Sequence, residues 1–246
     1  MHLSLKLGAA LGLASLGLAV LPAVHAQTTT AFFSGTFNQD DDKRLFTFNV
    51  TAPGNVTFFT TSYGGTGTGA NGMPVINVDG SSTVHGGFDT IISLFDPSGN
   101  FVFANDDSPI QVTDPTTHVA FDAGFTQLLT TTGTYTAVVT EFSNFSNADP
   151  TRNFPPTTTS LAGGFQQDGQ GNFTHTFGGG NVGTKFIDDT GSQRTGNFNL
   201  NIAGGTFGTL PSVPEASTTV SFGLLLMLGL GGVAFSARRK AQAQAE

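Results

Sequence analysis

The stretch Arg44 to Val50 alternates strictly: Phe46, Phe48 and Val50 point one way, Thr47 and Asn49 the other. A period of two is the signature of a half-buried strand. The pattern returns in Val56 to Ser62, with Val56, Phe58 and Thr60 on one face. It returns again in Gly133 to Phe142, where Tyr135, Ala137 and Val139 oppose Thr134, Thr136 and Thr140. A last copy sets Phe198, Leu200 and Ile202 among Asn197, Asn199 and Asn201. No stretch between residues 27 and 212 sustains a 3.6-residue period. Many short strands separated by turn signals predict an all-β, antiparallel sandwich.

Turn chemistry divides these strands. Ala52-Pro53-Gly54-Asn55 is a strong turn signal, so residues 44–50 and 56–62 are expected to pair as a hairpin. A second hairpin is expected from Phe88 to Phe95, the turn Asp96-Pro97-Ser98-Gly99-Asn100, and the return Phe101 to Ala104. The glycine-rich run Gly64 to Gly72 is expected to hold no regular structure. Residues 143 to 196, rich in Gly, Asn, Gln and Thr, predict an irregular excursion that returns to the sheet at Asn197.

Phe supplies the core, with 24 copies against two Tyr and no Trp. Cysteine is absent, which excludes disulfides and thiol nucleophiles. Residues 27 to 212 hold 15 Asp and Glu against five Lys and Arg, a net charge of −10. Such a body repels polyanions, so nucleic acid is excluded as a partner.

Both ends have the composition of targeting segments. Lys6 precedes the apolar run Leu7 to Leu21, and Val24-His25-Ala26 places small residues for cleavage between Ala26 and Gln27, the pattern of a secretory signal peptide over 1–26. At the other end Val213-Pro214-Glu215-Ala216-Ser217 precedes an apolar stretch from Thr218 to Ala237 and the basic stop Arg238-Arg239-Lys240. Twenty residues match the ~20 needed to span a bilayer core as a helix. The basic cluster keeps its own side cytoplasmic, leaving 27–212 outside. A plain anchor needs only the span and the charges; the short motif before them adds a sorting signal.

Two resemblances follow from these residues. The segment 213–246 resembles the PEP-CTERM sorting signal, with Pro214 and Glu215 matching its motif and Ala216 in place of its second proline. That resemblance implies tail removal by an exosortase-type membrane protease and association with exopolysaccharide. Gly86-Gly87-Phe88-Asp89-Thr90-Ile91-Ile92-Ser93-Leu94-Phe95-Asp96-Pro97-Ser98-Gly99-Asn100, followed by Asn105-Asp106-Asp107-Ser108, resembles the central hairpin of bacterial pre-peptidase C-terminal type domains. Leu128-Leu129 and Gly133 to Val139 are similar to the strand that follows it. The resemblance implies a jelly-roll-like β-sandwich, flanked here by the signal helix and the C-terminal transmembrane helix. It implies binding and no catalysis.

Candidate chemistry is sparse. Asp89, Asp96, Asn105, Asp106 and Asp107 sit at strand ends, where hard cations collect loop oxygens, so a structural calcium is the one cofactor considered; Asp40, Asp41 and Asp42 form a second such group. Asp96 to Asn100 is no EF-hand, since Phe101 stands where that loop needs glycine. His85, His118 and His175 are isolated and belong to no His-Glu-x-x-His or Gly-x-Ser-x-Gly motif. Of the two tyrosines, Tyr63 beside the glycine loop is the candidate for exposure, and Tyr135 for the core. The Thr-rich and Asn-rich faces could hydrogen-bond a polysaccharide or simply be solvated. Three readings stay open: a non-catalytic surface or matrix protein, a calcium-stabilised adhesion module, and a secreted hydrolase.

Overall fold

The computed structural model describes residues 30–152, 156–178 and 180–207. The signal-peptide site at Ala26 and Gln27, the motif Val213–Ser217, the span 218–237 and the stop Arg238–Lys240 lie outside the described residues. No helix among the described residues is long and apolar enough to cross a membrane.

Strands β1 (Ala31–Thr36), β2 (Arg44–Ala52), β3 (Gly54–Phe59), β4 (Gly67–Thr68), β5 (Pro74–Val75), β6 (Thr90–Phe95), β7 (Phe101–Asn105), β8 (Gly124–Leu129), β9 (Gly133–Glu141), β10 (Asn197–Ala203) and β11 (Thr206–Phe207) form antiparallel sheets. One sheet has the order β1-β10-β3-β8, the other β11-β2-β9-β6-β7. The strands that alternate are those that put one face into the space between the sheets. Phe46, Phe48, Val50, Tyr135, Ala137 and Val139 from one sheet meet Val56, Phe58, Phe198, Leu200 and Ile202 from the other. Phe rings interlock across it, Phe48 with Phe58 at 5.6 Å between centroids and Phe37 with Phe88 at 4.9 Å.

The expected hairpin of 44–50 with 56–62 does not form. Strand β2 pairs with β9 and β11, whereas β3 pairs with β10 and β8. The Ala52-Pro53-Gly54 segment is an arch that carries the chain from one sheet to the other. Both strands present the same alternation in a hairpin or an arch, so the pattern alone cannot choose. The arch sets Phe48 against Phe58 across the core instead of beside it within one sheet. The second expected hairpin is present: β6 pairs with β7 through a turn in which the Asp96 carboxylate accepts from Ser98 N and Asn100 N at 2.8 Å each.

The glycine run is also more ordered than expected, because β4 and β5 form a two-stranded ribbon within and after it. A Cβ on Gly64 would stand 1.9 Å from the Val112 carbonyl oxygen, so the close approach admits only glycine there.

Strand β6 is buried on both faces. Its inner face enters the main core. Its outer face is covered by the excursion, where Phe95 and Val138 pack with Ala148 and Phe165. The excursion is fastened at its middle, Phe101 N donating to Thr159 O and Leu161 N to Gly99 O. Thr140, expected on a solvated face, donates to Asn144 O beneath it. On the other sheet, Asn199 and Asn201 are buried under the loop of residues 77–83. Asn199 accepts from Thr61 N and donates to Thr61 Oγ1, while Asn201 accepts from Val78 N and donates to Asn77 Oδ1.

The core argument gives a direct expectation. Phe48→Ala should cost about 3–5 kcal/mol in urea unfolding, because it opens a cavity at a fully buried ring. Leu128→Ala, on an exposed side chain, should stay within about 0.5 kcal/mol.

Candidate functional site

The sequence candidates for cation binding separate. Asp96 lies at the far end of β6 from Asp89, roughly 20 Å along the strand, and its carboxylate is occupied by its own turn. Asp40 accepts from Thr174 N, Thr174 Oγ1 and Phe186 N, and Asp41 accepts from Gly169 N, so both tie the excursion to the β1–β2 turn. Asp42 accepts from Asn38 N and Gln39 N and closes that turn.

The charges of Asp106 and Asp107 do reach Asp89, as do those of Asp188 and Asp189 from the excursion. Asp89 is 4% exposed, and its Oδ1 has no hydrogen-bond partner. Burial first, then the negative charges of Asp107, Asp106, Asp189 and Asp188, push its carboxyl well above the usual carboxylate range. Asp107 at the rim is pushed up to about 6 by partial burial and then by Asp106 and Asp189. Glu141, buried with an unpartnered Oε2, is raised by burial and by Asp40, Asp89 and Asp188. Asn105 accepts from Gly124 N and donates to the Asp107 carbonyl, which shapes the rim. Asp106 accepts from Arg152, the cation at this edge. As they stand, no three His, Asp or Glu side chains among the described residues form a metal cage.

A second buried cluster centres on Arg194, which sequence reasoning passed over. Arg194 is 7% exposed, and its guanidinium donates to Asp114 at 2.8 Å, to the Tyr63 carbonyl at 3.0 Å and to the Gly87 carbonyl at 3.1 Å. It also lies over the Tyr63 ring, 4.0 Å from the centroid. Tyr63, expected to be exposed, is fully buried. The physical reason is its polar tip: the hydroxyl donates to Asp188 at 2.7 Å, so the whole ring can be enclosed without stranding the O–H. Burial, together with Asp188, raises the Tyr63 phenol. Tyr135 is in the core as expected. Against the burial that would raise it, hydrogen bonds from Arg194, Thr117 N and Thr116 N hold the Asp114 carboxyl at about 2.

The three histidines do not converge on a shared site. His85 Nδ1 lies 3.1 Å from Asp114 Oδ2. That pair resembles the acid–imidazole part of a catalytic triad, but the same carboxylate oxygen also accepts from Arg194. His175 Nδ1 contacts the Asn172 carbonyl of its own turn, and His118 adopts a left-handed backbone conformation in a loop. The signals that could have pointed to the missed groups were slight: Arg194 is one of five cations in an acidic body, and Asp188-Asp189-Thr190-Gly191 reads as an ordinary turn.

These arrangements fix a pH profile. Asp89, Asp107 and Glu141 hold protons more tightly when folded, so the stability they contribute is present at low pH and is lost as pH rises, for Asp107 through about 6. Asp114 has the opposite sign: its contribution is lost as pH falls from about 4 toward 2. Thermal melts should therefore peak near pH 4–5, and Asp89→Asn should stabilise at pH 7 by roughly 1–2 kcal/mol while flattening the fall in stability above that peak. Arg194→Met should cost about 3–5 kcal/mol in denaturant unfolding, since it leaves a buried carboxylate without its partner. No protein-family model matches this sequence, and none of the curated proteins is similar enough to count as a relative.

Proposed function

We propose that this chain is an exported, non-catalytic surface or matrix protein. Its N-terminal leader sends it through the secretory route. Its C-terminal segment holds it briefly in the membrane, with the body outside the cytoplasm, until an exosortase-type protease removes the tail. The released body, a jelly-roll-like sandwich, then associates with exopolysaccharide. The observation that carries the non-catalytic reading is the commitment of the one histidine-linked acid among the described residues: Asp114 accepts from Arg194, Thr116 N and Thr117 N as well as facing His85. The delivery part rests on Pro214-Glu215, the 20-residue apolar stretch and Arg238-Arg239-Lys240. Intact mass of the protein from cells that carry the protease tests it. The expected species begins at Gln27 and has lost the residues after the Pro214-Glu215 motif. A mature species that keeps Arg238 to Glu246 overturns the sorting reading.

A second reading has its own support, a calcium-stabilised binding module. Asp89 has a buried, unpartnered carboxylate oxygen and feels the negative charges of Asp106, Asp107, Asp188 and Asp189, with Arg152 paired to Asp106 at the rim. A divalent ion bridging Asp89 and Asp107, completed by backbone oxygens and water, would relieve that repulsion. If so, calcium at about 100 times its dissociation constant adds about 2.7 kcal/mol to stability at pH 7, and Asp89→Asn abolishes the gain. Melting temperatures identical in EDTA and in millimolar calcium eliminate this reading.

A further inference from the structure

An open groove of about 470 Å³ runs along the outside of the β1–β10 pair, beneath the lip formed by Ser81 to Val84. Its floor is a grid set by register. The outward residues of β1, Phe32, Ser34 and Thr36, stand opposite Asn201, Asn199 and Asn197. Asn199 and Asn201 are already bonded to the lip loop, which fixes the lip over the floor. Thr36 Oγ1 donates to Asn197 Oδ1 at 2.9 Å, and Asn197 is exposed, so its amide N–H groups remain for a ligand. Ser62 Oγ at the groove wall is buried and has no partner.

The lining of this groove is uncharged and rich in hydroxyls and carboxamides. The body carries a net charge of −10, yet none of the residues lining the groove is ionisable. An ion would find no counter-charge here. Hydroxyls and carboxamides both donate and accept, and at fixed strand spacing they match a run of ligand hydroxyls. The half-buried ring of Phe32 adds an apolar surface for the C–H face of a sugar. We propose that this groove binds a short stretch of a neutral glycan. The proposal rests on the exported-protein reading and gives its polysaccharide partner a place and a charge class.

The test uses the mature secreted protein and titrates it, by calorimetry and by NMR shift mapping, with neutral glucan, mannan and galactan oligosaccharides and with alginate oligosaccharides. A neutral glycan should bind, with shifts centred on residues 32–36 and 197. Asn197→Ala and Phe32→Ala should each weaken binding by tenfold or more while unfolding stays cooperative, with little change in melting temperature for Asn197→Ala, whose side chain is exposed. Saturation by none of the neutral glycans at millimolar concentration overturns the proposal. So does preference for alginate, or affinity unchanged in both variants. The two readings fail separately: a cleaved tail with no glycan binding sinks the groove alone, whereas glycan binding by a protein that keeps its tail sinks the sorting reading alone.

Discussion

One guanidinium ties the loops of this protein together. Arg194 closes the excursion and reaches, within one hydrogen-bonding fork, a carboxylate from residue 114 and carbonyls from residues 63 and 87. These segments are distant in sequence, and none is part of a strand ladder with another, apart from the isolated Gly87–Thr195 bridge. A buried cation is costly unless every donor is matched. Here two carboxylates, two carbonyls and an aromatic face surround it, with Asp188 3.9 Å from Nε. An acidic chain with few cations has placed one of them where its loss would unfasten three loops at once.

The sheet strands were most legible where apolar and polar side chains alternate along the chain. Arg44 to Val50, Gly133 to Glu141 and Asn197 to Ile202 are strands at nearly the bounds their alternation implies. What alternation cannot encode is the partner of a strand. The Pro53-Gly54 turn satisfies an arch as well as a hairpin, and only the packing of Phe48 on Phe58 decides. Nor can it encode what lies over a polar face. Asn199, Asn201 and Thr140 occupy positions that suit water; segments more than 120 residues away in sequence supply the hydrogen bonds of the two asparagines, and the Asn144 carbonyl, four residues on, takes that of Thr140.

The same limit explains the candidate sites. Asp89, Asp106 and Asp107 were visible as a hairpin-end cluster, because strand pairing of β6 with β7 brings them near each other. Asp188 and Asp189 reach them from a segment with no periodicity to place it. Asp96 looked equivalent by composition and is not, since a turn acid that accepts from its own backbone has no capacity left for a ligand. The groove was legible only as the two rows that make it, a Thr- and Ser-bearing strand and an Asn-bearing one; their adjacency is a product of topology.

The pairing of Ala31 with Ile202 has a mechanical consequence. The first and last long strands are antiparallel neighbours, so the chain enters and leaves the sheet at the same end of one ladder. Once the two-residue β11 has left β2, a pull that separates these two ends loads the β1–β10 hydrogen bonds one pair at a time, as in opening a zipper, and such a ladder yields at low force. A pull on one end alone is carried by the whole sheet, because β10 is also bonded to β3. A body laid out this way is suited to hanging from a single point and poorly suited to serving as a link in a chain under tension.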